Sequence, residues 1–352
     1  MVNTPTIAPQ VTIVVVPRER FSYTRESLES IYEHTDLPFK LVYVDGGSPR
    51  HIQRYLEEQS REKDFQLIRF DRYLSPNQSR NMGLREVKTK YLVFIDNDVV
   101  VTPGWLTRLV NCAEETDAAI VGPLTCIGTP LHEMIHNPGG RTYIKEEPVE
   151  TGIRRSIYQK SHFANRTVEQ MRDKLQRTQC DYAEFHCMLV RTDIFEKTGP
   201  LDEGLFSTRE HLDFSMMVTR AGGKVYCERE VVVTYVPGPP LQWSDLGFFM
   251  LRWSDAWDLA SLKRFREKWD LTEDKYFQKR YDQLGFRRKR TIVKPLAKAL
   301  TFGWRSHRME QLLIPLEKRL NRYVSDRYAR QCQQQPSSEQ PLQQQPVLAQ
   351  KY

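Results

Sequence analysis

Asp96 and Asp98, two residues apart in YLVFIDNDVV, follow directly on an apolar run. Carboxylates this close repel one another unless a cation neutralises them. A hard divalent ion with oxygen ligands, completed by substrate phosphates, is the expected occupant of such a pair. It would stabilise negative charge building on a departing diphosphate, which points to a nucleotide-linked substrate. Asp45 ends another apolar run, KLVYVD, where the competing role is to cap a turn. A different chemistry is suggested by His132-Glu133-Met134-Ile135-His136, whose spacing presents two imidazoles to zinc when it lies on a helix. Here Pro130 and Pro138-Gly139-Gly140 confine any helix to barely two turns, and position 142, where an extended zinc motif needs a third histidine, is threonine. The spacing therefore reads as coincidence.

The elements that must position these residues are short. VTIVVV (11–16), KLVYVD (40–45) and YLVFID (91–96), with the weaker AAIVGP (118–123), are β-branched and apolar on both alternating faces, as strands covered by helices on each side are. Between them, Thr24 is expected to cap one helix and Thr102-Pro103 to open another. The β-α-β-α-β order predicts an α/β fold with a mainly parallel, doubly wound sheet. In such a sheet ligands bind outside the carboxyl ends of the strands, so Asp45, Asp96 and Asp98 should share one rim. Residues 128–180 read as irregular, leading into a strand at 141–145. A second regular block has strands near 183–190, 224–227 and 231–236, and a helix capped by Thr192. Pro237-Gly238-Pro239-Pro240 marks a boundary. The expected organisation is an N-terminal extension (1–10), a catalytic domain (11–240), a basic helical appendage (241–330) and a disordered Gln/Pro-rich tail (331–352).

In order along the chain, LVYVDGGSP, SRNMGLREVKTKYLVFIDNDVVVTPGWL and GPLDEGLFSTREHLDFSMMVTRAGGKVY resemble the family 2 glycosyltransferases of the GT-A fold. The likeness covers roughly residues 11–238. It implies an inverting transfer of a sugar from a nucleotide diphosphate donor to a hydroxyl acceptor, aided by Mn²⁺ or Mg²⁺. It places Asp45 at the nucleotide base, Asp96 and Asp98 at the ribose and the metal diphosphate, and Arg80 and Asn81 along the donor pocket. Pro17 and Asn97 fall on the same donor side. Arg209-Glu210-His211-Leu212-Asp213 resembles the segment whose carboxylate takes the proton from the acceptor. His211 stands where the family has Asp, so Glu210, His211 and Asp213 are all candidates for the base; an imidazole with a pKa near ~6.5 suits the task. Two further departures are Gly46, where a second acid is common, and Thr234-Tyr235, where many members place a metal-binding histidine. His136-Asn137-Pro138-Gly139-Gly140 resembles the family's His-x-x-Gly-Gly segment, and 128–180 would then shape the acceptor pocket.

Two alternatives use similar equipment. A nucleotidyltransferase usually has a Gly-rich loop after the first strand, and Pro17-Arg18-Glu19-Arg20-Phe21 has no glycine. A non-catalytic binder of nucleotide sugars or glycans is compatible with the altered base motif. The net charge of +7 is unevenly placed: residues 1–240 hold 30 Lys and Arg against 33 Asp and Glu, and residues 241–330 hold 21 against 11. The run Arg287-Arg288-Lys289-Arg290 and the helix after it suggest peripheral contact with an anionic membrane. Nucleic acid is not expected, because no reading motif accompanies the charge. Most of the tryptophans are expected to pack helices against the catalytic domain. Six cysteines without a CxxC pair, and a start lacking a secretory pattern, suggest a reduced cytoplasmic protein, with any membrane contact peripheral at the inner face.

Overall fold

The computed structural model describes residues 8–150, 152–237 and 241–334. The strands are β1 (Val11–Val16), β2 (Phe39–Gly46), β3 (Gln66–Phe70), β4 (Tyr91–Asp96), β5 (Val99–Val100), β6 (Ala118–Ile127), β7 (Ile135–Asn137), β8 (Gly140–Val149), β9 (Gly152–Ser161), β10 (Thr178–Cys180), β11 (Cys187–Arg191) and β12 (Lys224–Tyr235). The α-helices are α1 (Thr24–His34), α2 (Arg50–Glu62), α3 (Pro76–Leu84), α4 (Trp105–Thr116), α5 (Val168–Met171), α6 (Ile194–Thr198), α7 (Glu210–Arg220), α8 (Leu246–Arg252), α9 (Asp255–Lys268), α10 (Lys275–Asp282), α11 (Phe286–Arg288), α12 (Lys294–Leu300) and α13 (His307–Gln334).

The main sheet runs β10-β12-β6-β11-β4-β1-β2-β3. Strands β1 to β4 are parallel, with Val11 opposite both Phe39 and Tyr91. β1 and β4 are buried along their whole length, as their continuous apolar sequences require of strands covered on both faces. The order 3-2-1-4 reverses between β1 and β4, which makes the carboxyl ends of these two strands the crevice where an open α/β sheet binds ligands. β11 enters antiparallel beside β4, with Cys187 opposite Ile95, so the residues just before β11 arrive at the same rim. Helix α3 packs close to β1: a Cβ added at Gly83 would collide with the Val14 side chain.

Several expected boundaries move. Thr24 is the first residue of α1 and not its cap; its hydroxyl lies 3.2 Å from that of Tyr43. Helix α4 begins at Trp105 after Gly104, whose left-handed φ of 72° ends the turn started by Thr102-Pro103. The strand expected over 183–190 is confined to β11, because residues 183–186 form the rim loop. Thr192 donates to the carbonyls of Thr89 and Lys90 and leaves the cap of α6 to Asp193. The strands near 224–227 and 231–236 are one strand, β12, broken in register between Glu228 and Val232. The segment read as irregular contains the two-stranded sheet β8-β9, with Tyr143 and Tyr158 stacked at 4.8 Å. Residues 131–134 are a turn entering β7, so HEMIH is not a helix.

Beyond the expected boundary, of which Gly238 to Pro240 lie outside the described residues, the chain is helical. Trp253, Trp257 and Trp269 are buried against the rest of the chain, as expected, whereas Trp243 and Trp304 are exposed. Asp245, fully buried, accepts hydrogen bonds from Phe21 N at 2.8 Å and from Ser22 N at 3.2 Å, tying this region to the loop after β1. Helix α13 continues to Gln334, a few residues into the segment read as tail; the remainder lies outside the described residues. No described helix is long and apolar enough to cross a membrane.

Candidate active site

At the end of β4, Asp96 is fully buried between two guanidiniums and an imidazole. Arg80 Nη2 lies 3.0 Å from Oδ1, Arg18 Nη1 3.4 Å from Oδ2, and His186 Nδ1 3.1 Å from Oδ2. Burial alone would push this carboxyl up, but Arg18, His186 and Arg80 together hold it below its ordinary range, so it is a carboxylate at neutral pH. Arg80 comes from α3, where the Ser75 capping box and the close approach at Gly83 fix the helix. Its guanidinium also donates to Asn77 Oδ1 at 3.2 Å and lies 4.1 Å over the Phe185 ring.

Asp98 is equally buried, yet neither carboxylate oxygen has a hydrogen-bond partner among the described residues. Burial, then the negative charges of Asp96 and Glu19, push its carboxyl well above the usual range. A buried carboxylate with two free oxygens is an incomplete site, and the missing charge is positive. The other donor-side residues divide. Asp45 accepts from Ser48 N at 3.0 Å, Ser48 Oγ at 2.7 Å, and Arg69. The turn-capping role therefore accounts for its hydrogen bonds. Asn97 fixes the loop after β1, accepting from Arg18 N at 3.1 Å and donating to Arg20 O at 2.8 Å. Asn81 clasps the backbone N and O of Leu201 and donates to Glu203 Oε1 at 2.9 Å. Pro17 is buried directly after β1, next to Arg18.

The 209–213 segment opens α7, with Arg209 in left-handed conformation at φ 73°. Glu210 accepts from Arg252 Nη2 at 3.2 Å. Burial opposes its charge, but Arg252, Arg80 and Arg18 hold it below its usual range. His211 Nε2 has no hydrogen-bond partner among the described residues, and burial pushes the imidazole down to about 4 against the pull of Glu184 and Glu210; it is neutral at neutral pH. Asp213 is spoken for, accepting from Lys268 Nζ at 2.7 Å and Trp269 Nε1 at 2.9 Å.

Glu210 and His211 line a cavity of about 340 Å³, whose walls also carry Arg18, Arg209, Arg280 and Arg287. Four guanidiniums around one cleft focus positive potential on an anionic ligand. Several of these groups are not apparent in the sequence. Arg18 lies in the loop read only for its lack of glycine. Glu184 and His186 alternate just before an apolar run, but only the antiparallel entry of β11 brings His186 to Asp96, with Glu184 on the other side of its ring. Arg252 and Trp253 come from the helical region; the Trp253 indole donates to Glu19 at 2.8 Å.

The family model for glycosyl transferase family 2 matches residues 12–199, and the chain belongs to this family. Its fold is the GT-A fold, with the mainly parallel sheet and C-terminal helices described above. Among curated relatives, a hyaluronan synthase of Pasteurella multocida is 28% identical over 101 residues, covering 28% of this chain and 10% of that protein. An uncharacterized glycosyltransferase of Haemophilus influenzae is 26% identical over 133 residues, covering 38% of this chain and 40% of the relative. The chain thus spans less than half the length of these relatives. Among solved structures, GalNAc-T7 with UDP, GalNAc and Mn²⁺ superposes with a TM-score of 0.49 at 16% identity, covering 81% of this chain and 57% of that one.

If Asp213 supports α9 and is not the base, replacing it should cost stability. Asp213→Ala strands the Trp269 indole and should lower the unfolding free energy by about 2 kcal/mol in a urea titration. A variant as stable as the parent would mean that those contacts contribute nothing.

Proposed function

We propose that the protein transfers a sugar from a nucleotide diphosphate donor to a hydroxyl acceptor with inversion at the anomeric carbon. The observation that carries this reading is an arginine-lined cavity whose Arg18 pairs with Asp96 at the switch point of the sheet, with Asp98, two residues on, buried behind that wall with both carboxyl oxygens unpartnered among the described residues. Asp98 and Asp96 have the oxygen chemistry to hold Mn²⁺ or Mg²⁺, which when bound would neutralise charge on the leaving diphosphate. Arg18 is suited to the same task, since it touches Asp96 and reaches the cavity wall. Its second face lies 5.4 Å from the Tyr235 ring centroid, which restrains its approach. On the other side, His211 is the base we favour. It is neutral, its Nε2 is uncommitted, and it lines the cavity, whereas one oxygen of Glu210 is held by Arg252 and Asp213 is fully engaged. Holding the acceptor hydroxyl against that nitrogen while the diphosphate is fixed opposite makes a single in-line displacement accessible. Asp45, although it serves its turn, remains the candidate for reading the nucleotide base once Arg69 yields. The partial match to a hyaluronan synthase favours a glycan acceptor over a small molecule.

Peripheral attachment to an anionic bilayer belongs to the same reading, but through a different surface from the basic run. Arg288 is fully buried, bonded to Asp255 at 2.8 Å and Glu317 at 2.5 Å, and Arg287 packs 4.0 Å over Trp253. The surface that suits lipid is the α12-α13 corner. Phe302 is 96% and Trp304 79% exposed at its tip, and Leu312, Leu316 and Leu320 continue along one side of α13. Exposed Lys298, Arg305, Arg308 and Arg319 flank them, which is the chemistry of an interfacial anchor.

Two experiments test these statements. In a thermal-shift screen of UDP-, GDP-, CMP- and dTDP-sugars with Mn²⁺ or Mg²⁺, one nucleotide class should stabilise the parent in a metal-dependent manner and fail to stabilise Asp98→Ala. An unchanged response in that variant would refute the donor site. In liposome co-sedimentation, the parent should bind vesicles rich in anionic lipid, and the Phe302→Ser/Trp304→Ser pair should weaken binding about tenfold or more. Equal binding by the pair would rule out this corner.

A further inference from the structure

A second group of side chains near the rim has the composition of a metal site without belonging to the Asp96/Asp98 pair. His136 lies in β7, and Glu184 and His186 lie in the loop entering β11; their ligand atoms all fall within 4.8 Å of one another. Glu184 Oε2 is 3.5 Å from His136 Nε2 and 3.2 Å from His186 Nε2. The second observation concerns His186 itself. It is 1% exposed, and neither ring nitrogen makes a hydrogen bond of acceptable geometry to any described residue. A buried imidazole left in this state is costly unless something occupies its lone pair.

The surroundings fit an ion. Asp96 Oδ2 stands 3.1 Å from His186 Nδ1, on the side of the ring away from Glu184, where a small rotation of the imidazole would give it the carboxylate acceptor that orients a metal-binding histidine. Arg18 and Arg80 already pair with Asp96. Asn137 Nδ2 donates to Glu184 Oε1 at 2.8 Å, which leaves Oε2 turned to the two imidazoles. The Tyr235 ring stacks on His186 at 4.0 Å and restrains its plane. His136 and Glu184 both line the cavity, so three protein ligands would leave a coordination position open to it. His132, the other histidine of the HEMIH stretch, takes no part: its Nδ1 lies 2.7 Å from Thr234 Oγ1.

We propose that His136, Glu184 and His186 bind a borderline divalent transition-metal ion, with Zn²⁺ the best match to two imidazoles and one carboxylate, separately from any ion held by Asp98. The ion would sit on the wall that also carries Glu210 and His211, where an oxygen ligand in the open position would be polarised. Metal binding at this cluster does not depend on the transferase reading.

The test is titration of metal-free, untagged protein with Co²⁺, followed by its visible d–d absorption in the parent, His136→Ala, Glu184→Gln and Asp98→Ala. Apo thermal unfolding establishes that each variant folds. The expected result is about one equivalent of Co²⁺ with d–d bands, displaced by Zn²⁺, retained in Asp98→Ala and weakened at least tenfold in the other two variants. Absence of bands in the parent, bands that survive both His136→Ala and Glu184→Gln, or bands lost in Asp98→Ala would each overturn a separate site. If the His136 and Glu184 variants do not fold, diethyl pyrocarbonate labelling of the parent decides: Zn²⁺ must protect His136, and undiminished labelling refutes the proposal.

Discussion

A charge buried at the end of a central strand constrains everything around it. Asp96 has no access to water, so its ionised form persists only because groups from three separate parts of the chain converge on it: the guanidiniums of Arg18 after β1 and Arg80 from α3, and the His186 imidazole before β11. Each must be placed to within a few tenths of an ångström, and the sheet does this by register. β1 and β4 are adjacent and parallel, and β11 enters opposite the last residues of β4. An unpaired charge here would cost more than most single interactions contribute, which is why the rim is rigid before any ligand arrives. That rigidity is also what electrostatic catalysis needs, since preorganised charge does not reorganise during the reaction.

The helical region completes the site and does more than decorate it. Arg252 donates to the carbonyls of Arg18 and Ser207 and pairs with Glu210, so one guanidinium joins the β1 loop to the start of α7. Trp253 holds Glu19, and Asp245 holds the loop at Phe21 and Ser22. Arg288 then anchors α11 to the end of α8 and to α13. The matched family segment ends at residue 199, whereas the cavity draws on residues up to Arg287. The chemistry of the cleft is therefore shared between the family core and a region that the family model does not reach.

Much of the architecture is legible in the sequence because buried parallel strands write themselves as continuous apolar runs, and β1, β2 and β4 fall where those runs lie. Asp96 and Asp98 are legible for the same reason, as carboxylates at a strand end. What the sequence does not carry locally is pairing. Of the β8-β9 hairpin only the start of β8, expected as a strand at 141–145, is legible; the rest has an alternating, mostly polar pattern and reads as irregular although the ladder is long. His186, Glu184 and Arg252 are unremarkable in sequence and gain their meaning from neighbours far along the chain: Asp96 for His186, Asn137 for Glu184, and Glu210 and Arg18 for Arg252. The run at 287–290 misleads in the opposite sense: Arg288, read as part of a surface charge, is enclosed by its own counter-ions.

The dependence of the rim on Asp96 can be measured directly by urea unfolding of Asp96→Asn. Removing the carboxylate takes from buried Arg80 and Arg18 the counter-charge they touch directly, leaving them the more distant Glu210, and the unfolding free energy should fall by about 3 to 5 kcal/mol. A variant that unfolds at the same urea concentration as the parent would contradict this view, since the guanidiniums would then be held by something other than the aspartate on which the site is built.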